Sequence, residues 1–141
     1  MIPFRVQLRP GVSLFEQIVY AATRAMVAGQ LRPGDAFPSV RALSKELKIN
    51  PNTAAKIVVH LVAEGLLEMR PGIGTVVATL PDSTARERTQ LLDQQIEELV
   101  VEAKRLGIEL DETRAALTAH WNKLGGAPKP AATRKGDSDK S

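Results

Sequence analysis

Three side chains in the first half of the chain have the chemistry needed to bind nucleic-acid bases. Asn52 can form two hydrogen bonds with adenine, Thr53 can contact the methyl group of thymine, and Lys56 can donate to guanine or phosphate. They follow Asn50-Pro51, which predicts a helix start, so they belong to the first turns of that helix. The alternatives are local roles: Asn52 assists the cap, Thr53 packs locally, and Lys56 is a solvated lysine. We expect at least one of the three to contact DNA.

Two further candidates lie on either side of this group. Ser39 is predicted to cap a helix, and the backbone N–H groups of a helix N-terminus attract phosphate. Capping alone also explains this serine. His60 lies one turn beyond Lys56, where phosphate contact and plain surface exposure are both open.

Caps and apolar spacing predict three helices before residue 66. Ser13 and Glu16 have the spacing of a capping box, and apolar residues then recur every three or four positions. Ser39 and Asn50 are suitable N-caps for the next two helices. The predicted ranges are 13–28, 39–48 and 50–65. Residues 3–8 alternate loosely and predict a short edge strand.

A small β-hairpin is predicted after the third helix. Residues 66–70 and 75–78 are β-like, and the glycines between them permit a sharp turn. Arg70 would supply charge at the tip, and Gly72 and Gly74 would let the backbone approach phosphate or a minor groove. A turn requirement by itself explains at least one of these glycines. The order predicts a mainly α fold with a small β-hairpin, the winged helix-turn-helix.

The remainder of the chain predicts an assembly element. A capping box at Thr84 and Glu87 opens a helix to about residue 106, and a last helix follows. Apolar residues recur along one face, and a second subunit is the expected cover, although folding back on the winged helix is the alternative. The predicted dimer interface consists of Leu92, Ile96, Leu99, Ala103, Leu106, Leu117 and Trp121.

Composition and charge divide the chain in the same way. Residues 1–80 contain nine Lys or Arg against five Asp or Glu, whereas residues 81–124 contain six against nine. A basic first half beside an acidic helical segment is typical of a nucleic-acid reader with a separate assembly element. We therefore predict a DNA-binding domain at 1–79, a dimerisation segment at 80–124 and a disordered tail at 125–141.

Several classes of protein are disfavoured. The 141 residues include no cysteine, which excludes disulfides and thiolate zinc sites, and the two histidines are too isolated for a metal site. Neither a catalytic constellation nor a phosphate loop is apparent, so we predict no enzyme activity, cofactor or metal. No apolar run is long enough for a membrane span or signal peptide, which predicts a cytoplasmic protein without a membrane partner.

The motifs together resemble a known family. The segments SLFEQI, QLRPGDAFPSVRALSKEL and INPNTAAKIVVHLVAEGLLEMRPGIGTVV, read in this order, are similar to the DNA-binding domain of GntR-family bacterial regulators, from about Ile2 to Thr79. The resemblance implies that Arg41 reaches phosphate or a guanine edge, the alternative being a surface pair with Glu46. The third helix departs from the family because it is unusually apolar, which suggests that wing and phosphate contacts carry much of the affinity.

The short C-terminal segment resembles the YtrA branch of the family, on the basis of its length, its two helices and the stretch AKRLGI. This resemblance implies dimerisation through those helices and, often, control of a transporter operon. The predicted function is a sequence-specific transcriptional regulator that binds an inverted-repeat operator as a homodimer, with repression as the simplest action. The alternative is a winged-helix adaptor that binds proteins instead of DNA. The sequence does not identify a small-molecule effector.

Overall fold

A computed structural model of the chain describes residues 2–125. These residues divide into two compact units, an N-terminal unit that ends at Pro81 and a C-terminal unit that runs from Asp82 to Gly125. Apart from Gly125, the predicted disordered tail lies outside the described residues.

The N-terminal unit has the predicted order of elements. Its helices and strands are α1 (Leu14–Val27), α2 (Val40–Leu47), α3 (Pro51–Ala63), β1 (Leu67–Arg70) and β2 (Gly74–Val77). The two strands pair antiparallel, from Leu67 with Val77 to Arg70 with Gly74. The mainly helical fold with a small hairpin is confirmed.

Each of the three helices begins at a side-chain cap. The Ser13 hydroxyl accepts from the Glu16 N–H at 3.3 Å, which is one half of the predicted capping box. The Ser39 hydroxyl accepts from Ala42 at 3.1 Å, and the Asn50 side chain accepts from Asn52 at 2.7 Å. Because these bonds satisfy N–H groups that a helix start leaves unpaired, they fix where each helix begins.

Helix α3 is the centre of the core. It packs against α1, α2 and β1. Its inward stripe is formed by Ala54, Ile57, Val58 and Leu61, all of which are buried. Large side chains from the surrounding elements cover this stripe, including Ile18, Leu43 and Leu67. The orientation of α3 about its own axis therefore follows from which of its residues are apolar.

The turn between α2 and α3 uses a lysine in an unusual backbone conformation. Lys48 has a φ of 55° and is left-handed, a region that side chains other than glycine and asparagine rarely occupy. Ser44 stabilises this turn, since its hydroxyl donates to the Ile49 carbonyl at 2.7 Å and its carbonyl accepts from the Ile49 N–H at 3.0 Å. The turn brings α3 directly after α2.

The prediction of an edge strand at residues 3–8 is wrong. Between Ile2 and Leu8 the structure contains no strand. Instead, Phe4 is buried and stacks on Phe37 with ring centroids 5.7 Å apart. The backbone that follows is held by the Gln17 side chain, which accepts from the Arg9 N–H at 2.6 Å and donates to the Arg9 carbonyl at 3.0 Å. An aromatic anchor and one glutamine thus position this segment without strand pairing.

The segment before α2 runs alongside the hairpin. The Gly34 N–H donates to the Val77 carbonyl at 2.7 Å, the Val77 N–H to the Asp35 carbonyl at 2.8 Å, and the Phe37 N–H to the Thr75 carbonyl at 2.9 Å. These bonds, together with the bridge between Ala36 and Val76, attach β2 to the connection between α1 and α2.

The C-terminal unit is helical throughout most of its length. It contains α4 (Ala85–Thr89), a π-helical stretch (Gln90–Gln95), α5 (Ile96–Arg105) and α6 (Leu110–Leu124). The predicted capping box is confirmed, because Thr84 and Glu87 exchange bonds of 2.8 and 3.0 Å. The predicted helix to about residue 106 is confirmed, but its stretch 90–95 is π-helical, since the Ile96 N–H donates to the Leu91 carbonyl, five residues back.

Most of the predicted dimer-interface side chains are exposed in the single chain. Leu92, Leu99, Leu106, Leu117 and Trp121 are exposed, and 78% of the Trp121 surface is accessible. Ile96 is half-buried, and Ala103 is already buried within the chain. No helix within residues 2–125 combines the length and the apolar character needed to cross a membrane.

Opposite sides of α3 should respond differently to truncation. Leu61→Ala should lower the free energy of unfolding by about 2–5 kcal/mol, because Leu61 is fully buried and its loss leaves a cavity. Val59→Ala, on the exposed side of the same helix, should change it by less than about 0.5 kcal/mol. Urea denaturation at a single chain concentration measures both values. Equal losses would contradict the division of α3 into a buried and an exposed face.

Candidate nucleic-acid interface

One face of α3 is left open to solvent. Asn52, Lys56, Val59 and Ala63 are all exposed. At 3.6 residues per turn these positions fall within an arc of about 60° on the helix circumference, opposite the buried stripe. The structure therefore brings Asn52 and Lys56 together with a valine on a single outward surface, which we call the outer face of α3.

Thr53 and His60 border the outer face instead of occupying its centre. Both are half-buried, and they lie on the same edge because seven residues make nearly two turns. The His60 ring contacts Phe15 of α1 edge-on, with ring centroids 5.3 Å apart. His60 thus has a packing role between α1 and α3 in addition to any role in binding.

The start of α2 carries the next two predicted residues. Ser39 and Arg41 are exposed, and Arg41 lies in the first turn of a helix that packs directly on α3. The first turn of a helix presents N–H groups and a partial positive charge. A basic side chain and a helix N-terminus therefore occur together at this point, an arrangement suited to a phosphate.

The predicted wing is a three-residue loop between Arg70 and Gly74. Gly72 and Gly74 have φ values of +79° and +112°, and a Cβ added at either would meet nothing within 4 Å. Backbone conformation, and not crowding, is the reason for glycine at both positions. Between them Ile73 is 72% exposed, so the tip of the wing is apolar.

Arg70 has an acidic neighbour that the sequence interpretation missed. Its guanidinium lies 3.5 Å from the Glu68 carboxylate, and both side chains are about half exposed. Residues two apart on a strand share one face, which provides the signal that could have identified this pair. The positive charge of the wing is therefore partly neutralised within the protein itself.

Among the residues that the structure describes, the two groups with a shifted pKa belong to the C-terminal unit. In the C-terminal unit, hydrogen bonds from Arg105 lower the pKa of the Glu102 carboxyl, and Glu102 raises the pKa of Arg105. Within residues 2–125, no group of three or more histidine or acidic side chains could hold a metal ion. The N-terminal unit therefore presents three candidate DNA-binding features: the outer face of α3, the start of α2 and the wing.

Comparison with known proteins identifies the family. The model for bacterial regulatory proteins of the gntR family matches residues 14–77. The HTH-type transcriptional repressor YtrA of Bacillus subtilis (strain 168) is 30% identical over 109 residues, covering 77% of this chain and 84% of YtrA. The chain belongs to the GntR family. Because the match to YtrA includes most of both proteins, the predicted resemblance to the YtrA branch is confirmed as well.

Solved structures show the same fold. A transcriptional antiterminator from Listeria monocytogenes EGD-e has a TM-score of 0.73 at 21% identity and covers 90% of this chain and 97% of its own. A transcriptional regulator from Oenococcus oeni has a TM-score of 0.53 at 27% identity, with coverages of 82% and 93%. These likenesses confirm the fold, and the family consists of transcriptional regulators with a DNA-binding winged helix, not of enzymes.

The Arg70–Glu68 pair gives a specific prediction for this GntR-family protein. Glu68→Gln should strengthen binding to a random-sequence duplex by about two- to tenfold in low salt, because it removes a negative charge beside Arg70. Glu102→Gln is the matched control, since it removes an equivalent paired carboxylate from the C-terminal unit. Fluorescence anisotropy measures both affinities. An unchanged or weakened affinity for Glu68→Gln alone would show that Arg70 does not approach phosphate.

Proposed function

We propose that this GntR-family chain is a sequence-specific transcriptional repressor that binds an inverted-repeat operator as a homodimer. The observation that carries the proposal is the outer face of α3, where Asn52 and Lys56 are exposed on the side opposite the buried stripe. In a winged helix-turn-helix the corresponding helix enters the major groove, and its first residues reach the bases. Asn52 would then pair with adenine and Lys56 with guanine or phosphate.

The remaining candidates are suited to holding the duplex in position. Ser39 and Arg41 at the start of α2 would bind one phosphate, and the wing with Arg70, Gly72 and Gly74 would approach another stretch of backbone. Contacts to phosphate set register and orientation, whereas contacts to base edges specify the sequence. Thr53 and His60, at the border of the outer face, are proposed to contact the edge of the groove, with Phe15 holding the His60 ring.

Dimerisation is proposed to involve the apolar stripe of the C-terminal unit. Leu92, Leu99 and Leu106 recur on one side of the helical segment and are all exposed. Leu117 and Trp121 add exposed apolar surface on α6. Exposed apolar side chains of this size are typical of protein interfaces, and a second copy of the same stripe is chemically complementary to it. A twofold dimer would read half-sites about one helical turn of DNA apart.

Two considerations support a role in repression: the name of the relative YtrA and the simplicity of blocking a promoter. YtrA of Bacillus subtilis is named a transcriptional repressor, and blocking a promoter requires only binding in the right place. We infer that the chain acts in the bacterial cytoplasm and on the nucleoid when bound. Control of a transporter operon is the further proposal that the YtrA-branch resemblance implies. Mapping the binding sites of the tagged protein across its genome would test it, and sites confined to other genes would overturn it.

DNA binding itself should depend on salt and on two basic residues. Arg41→Ala combined with Lys56→Ala should weaken binding to a random-sequence duplex at least about tenfold. It should also reduce the slope of log affinity against log salt by about two to four, because about 0.9 is lost for each phosphate contact and both subunits of the dimer carry the change. Anisotropy titrations from 50 to 300 mM salt, roughly the range over which such slopes are resolved, provide the measurement.

The matched control for this double variant is Arg86→Ala combined with Lys104→Ala, which removes the same charge from exposed positions of the C-terminal unit. It should leave the salt slope unchanged. If both double variants bind like the unchanged chain, or if affinity does not fall as salt rises, DNA binding by this surface is refuted. A winged-helix protein adaptor would then be favoured.

The dimer proposal is tested by a charge on the stripe. Leu99→Glu should convert the chain to a monomer at micromolar concentration, because a buried unpaired carboxylate is costly in an apolar interface. Val101→Glu is the control: Val101 is 61% exposed on the same helix but lies on the opposite side from Leu99. Sedimentation equilibrium reports the mass of each. A dimeric Leu99→Glu protein, or dissociation by Val101→Glu alone, would refute this interface.

A further inference from the structure

The outer face of α3 includes one apolar side chain that neither the core nor the helix itself accounts for. Val59 is 65% exposed, whereas its neighbour Val58 is 8% exposed and belongs to the core. Valine also forms helices less readily than alanine, because its branched side chain loses rotamer freedom. Neither packing nor helix propensity therefore explains valine at this position.

The position of Val59 matches that of a base-reading residue. It lies on the outer face, about 20° from Asn52 and about 40° from Ala63 in angle, and one turn beyond Lys56. The seven residues from Asn52 to Val59 span about 10 Å along the axis, at 1.5 Å per residue. This distance corresponds to about three base pairs of B-DNA. Recognition helices commonly contact bases through side chains spread over about two turns.

The chemistry of valine restricts what it can read. Its side chain has neither a donor nor an acceptor, and its branched methyl groups can make only apolar contacts. In the major groove the thymine C5-methyl group is the apolar feature of the base edges. Contact with valine removes the thymine C5-methyl group and the valine methyl groups from water. This burial favours thymine at that position over cytosine, which lacks the methyl group.

We propose that Val59 is a specificity-determining residue that contacts the C5-methyl group of one thymine in each half-site, about three base pairs from the base read by Asn52. The inference rests on the proposed function, since it requires α3 to lie in the major groove. It adds a residue that recognises a base by apolar contact to a helix with few hydrogen-bonding side chains on its outer face. The selectivity of the operator then comes partly from methyl groups.

The test uses a duplex obtained with the protein itself. Repeated binding selection with the full chain yields a preferred duplex, and each thymine in it is then replaced singly by deoxyuridine, which lacks only the C5-methyl group. For the unchanged chain, one thymine position in each half-site should be sensitive to this replacement. Replacing that single thymine should weaken binding about fourfold, the effect of losing one methyl-sized group from an apolar contact. The same replacement should leave the affinity of Val59→Ala unchanged, and Val59→Ala should itself bind the thymine duplex about fifteenfold more weakly, because both subunits of the dimer lose the contact.

A matched control separates this effect from general loss of a valine. Val27→Ala removes the same groups from an exposed position at the end of α1, and it should retain the full deoxyuridine effect. The proposal is overturned if no single deoxyuridine weakens the unchanged chain, or if Val59→Ala remains as sensitive to it as the unchanged chain. Failure of the proposed function has a different signature: selection enriches no sequence, and the Arg41 and Lys56 double variant binds normally.

Discussion

The buried stripe of α3 is the constraint on which the rest of this structure depends. Ala54, Ile57 and Leu61 are fully buried against the neighbouring elements. Burial of a large aliphatic side chain contributes about 1.5–3 kcal/mol, so rotation of the helix to present another side would cost several such contributions. Since the orientation of α3 about its own axis is fixed in this way, the residues that face outward are fixed as well. The surface available for recognition is thus determined by residues that never touch a ligand.

Much of the N-terminal unit was predictable because its signals are local. Ser39, Asn50 and Pro51 mark helix starts within a turn of their own position, and the hairpin glycines mark a tight connection. Signals of this kind act through backbone groups a few residues away, and the surrounding fold seldom overrides them. The angular position of each α3 residue also follows from counting along the helix.

The features that the sequence did not reveal depend on partners distant along the chain. Phe4 is held by Phe37, and Gln17 holds the backbone of Arg9, directly after the predicted strand at residues 3–8. The His60 ring lies against Phe15 of another helix, which no spacing rule specifies. Each outcome reflects packing in three dimensions that overrides a local preference.

The hydrogen bonds between residues 34–37 and β2 have a consequence for behaviour at high concentration. An unpaired strand edge offers N–H and C=O groups to any other extended chain and promotes aggregation. Here Gly34, Asp35 and Phe37 already occupy the outer edge of β2, and the strand is only four residues long. Neighbouring molecules therefore find no open edge on β2 onto which to add a strand, and this side of the hairpin is protected from amyloid-like stacking.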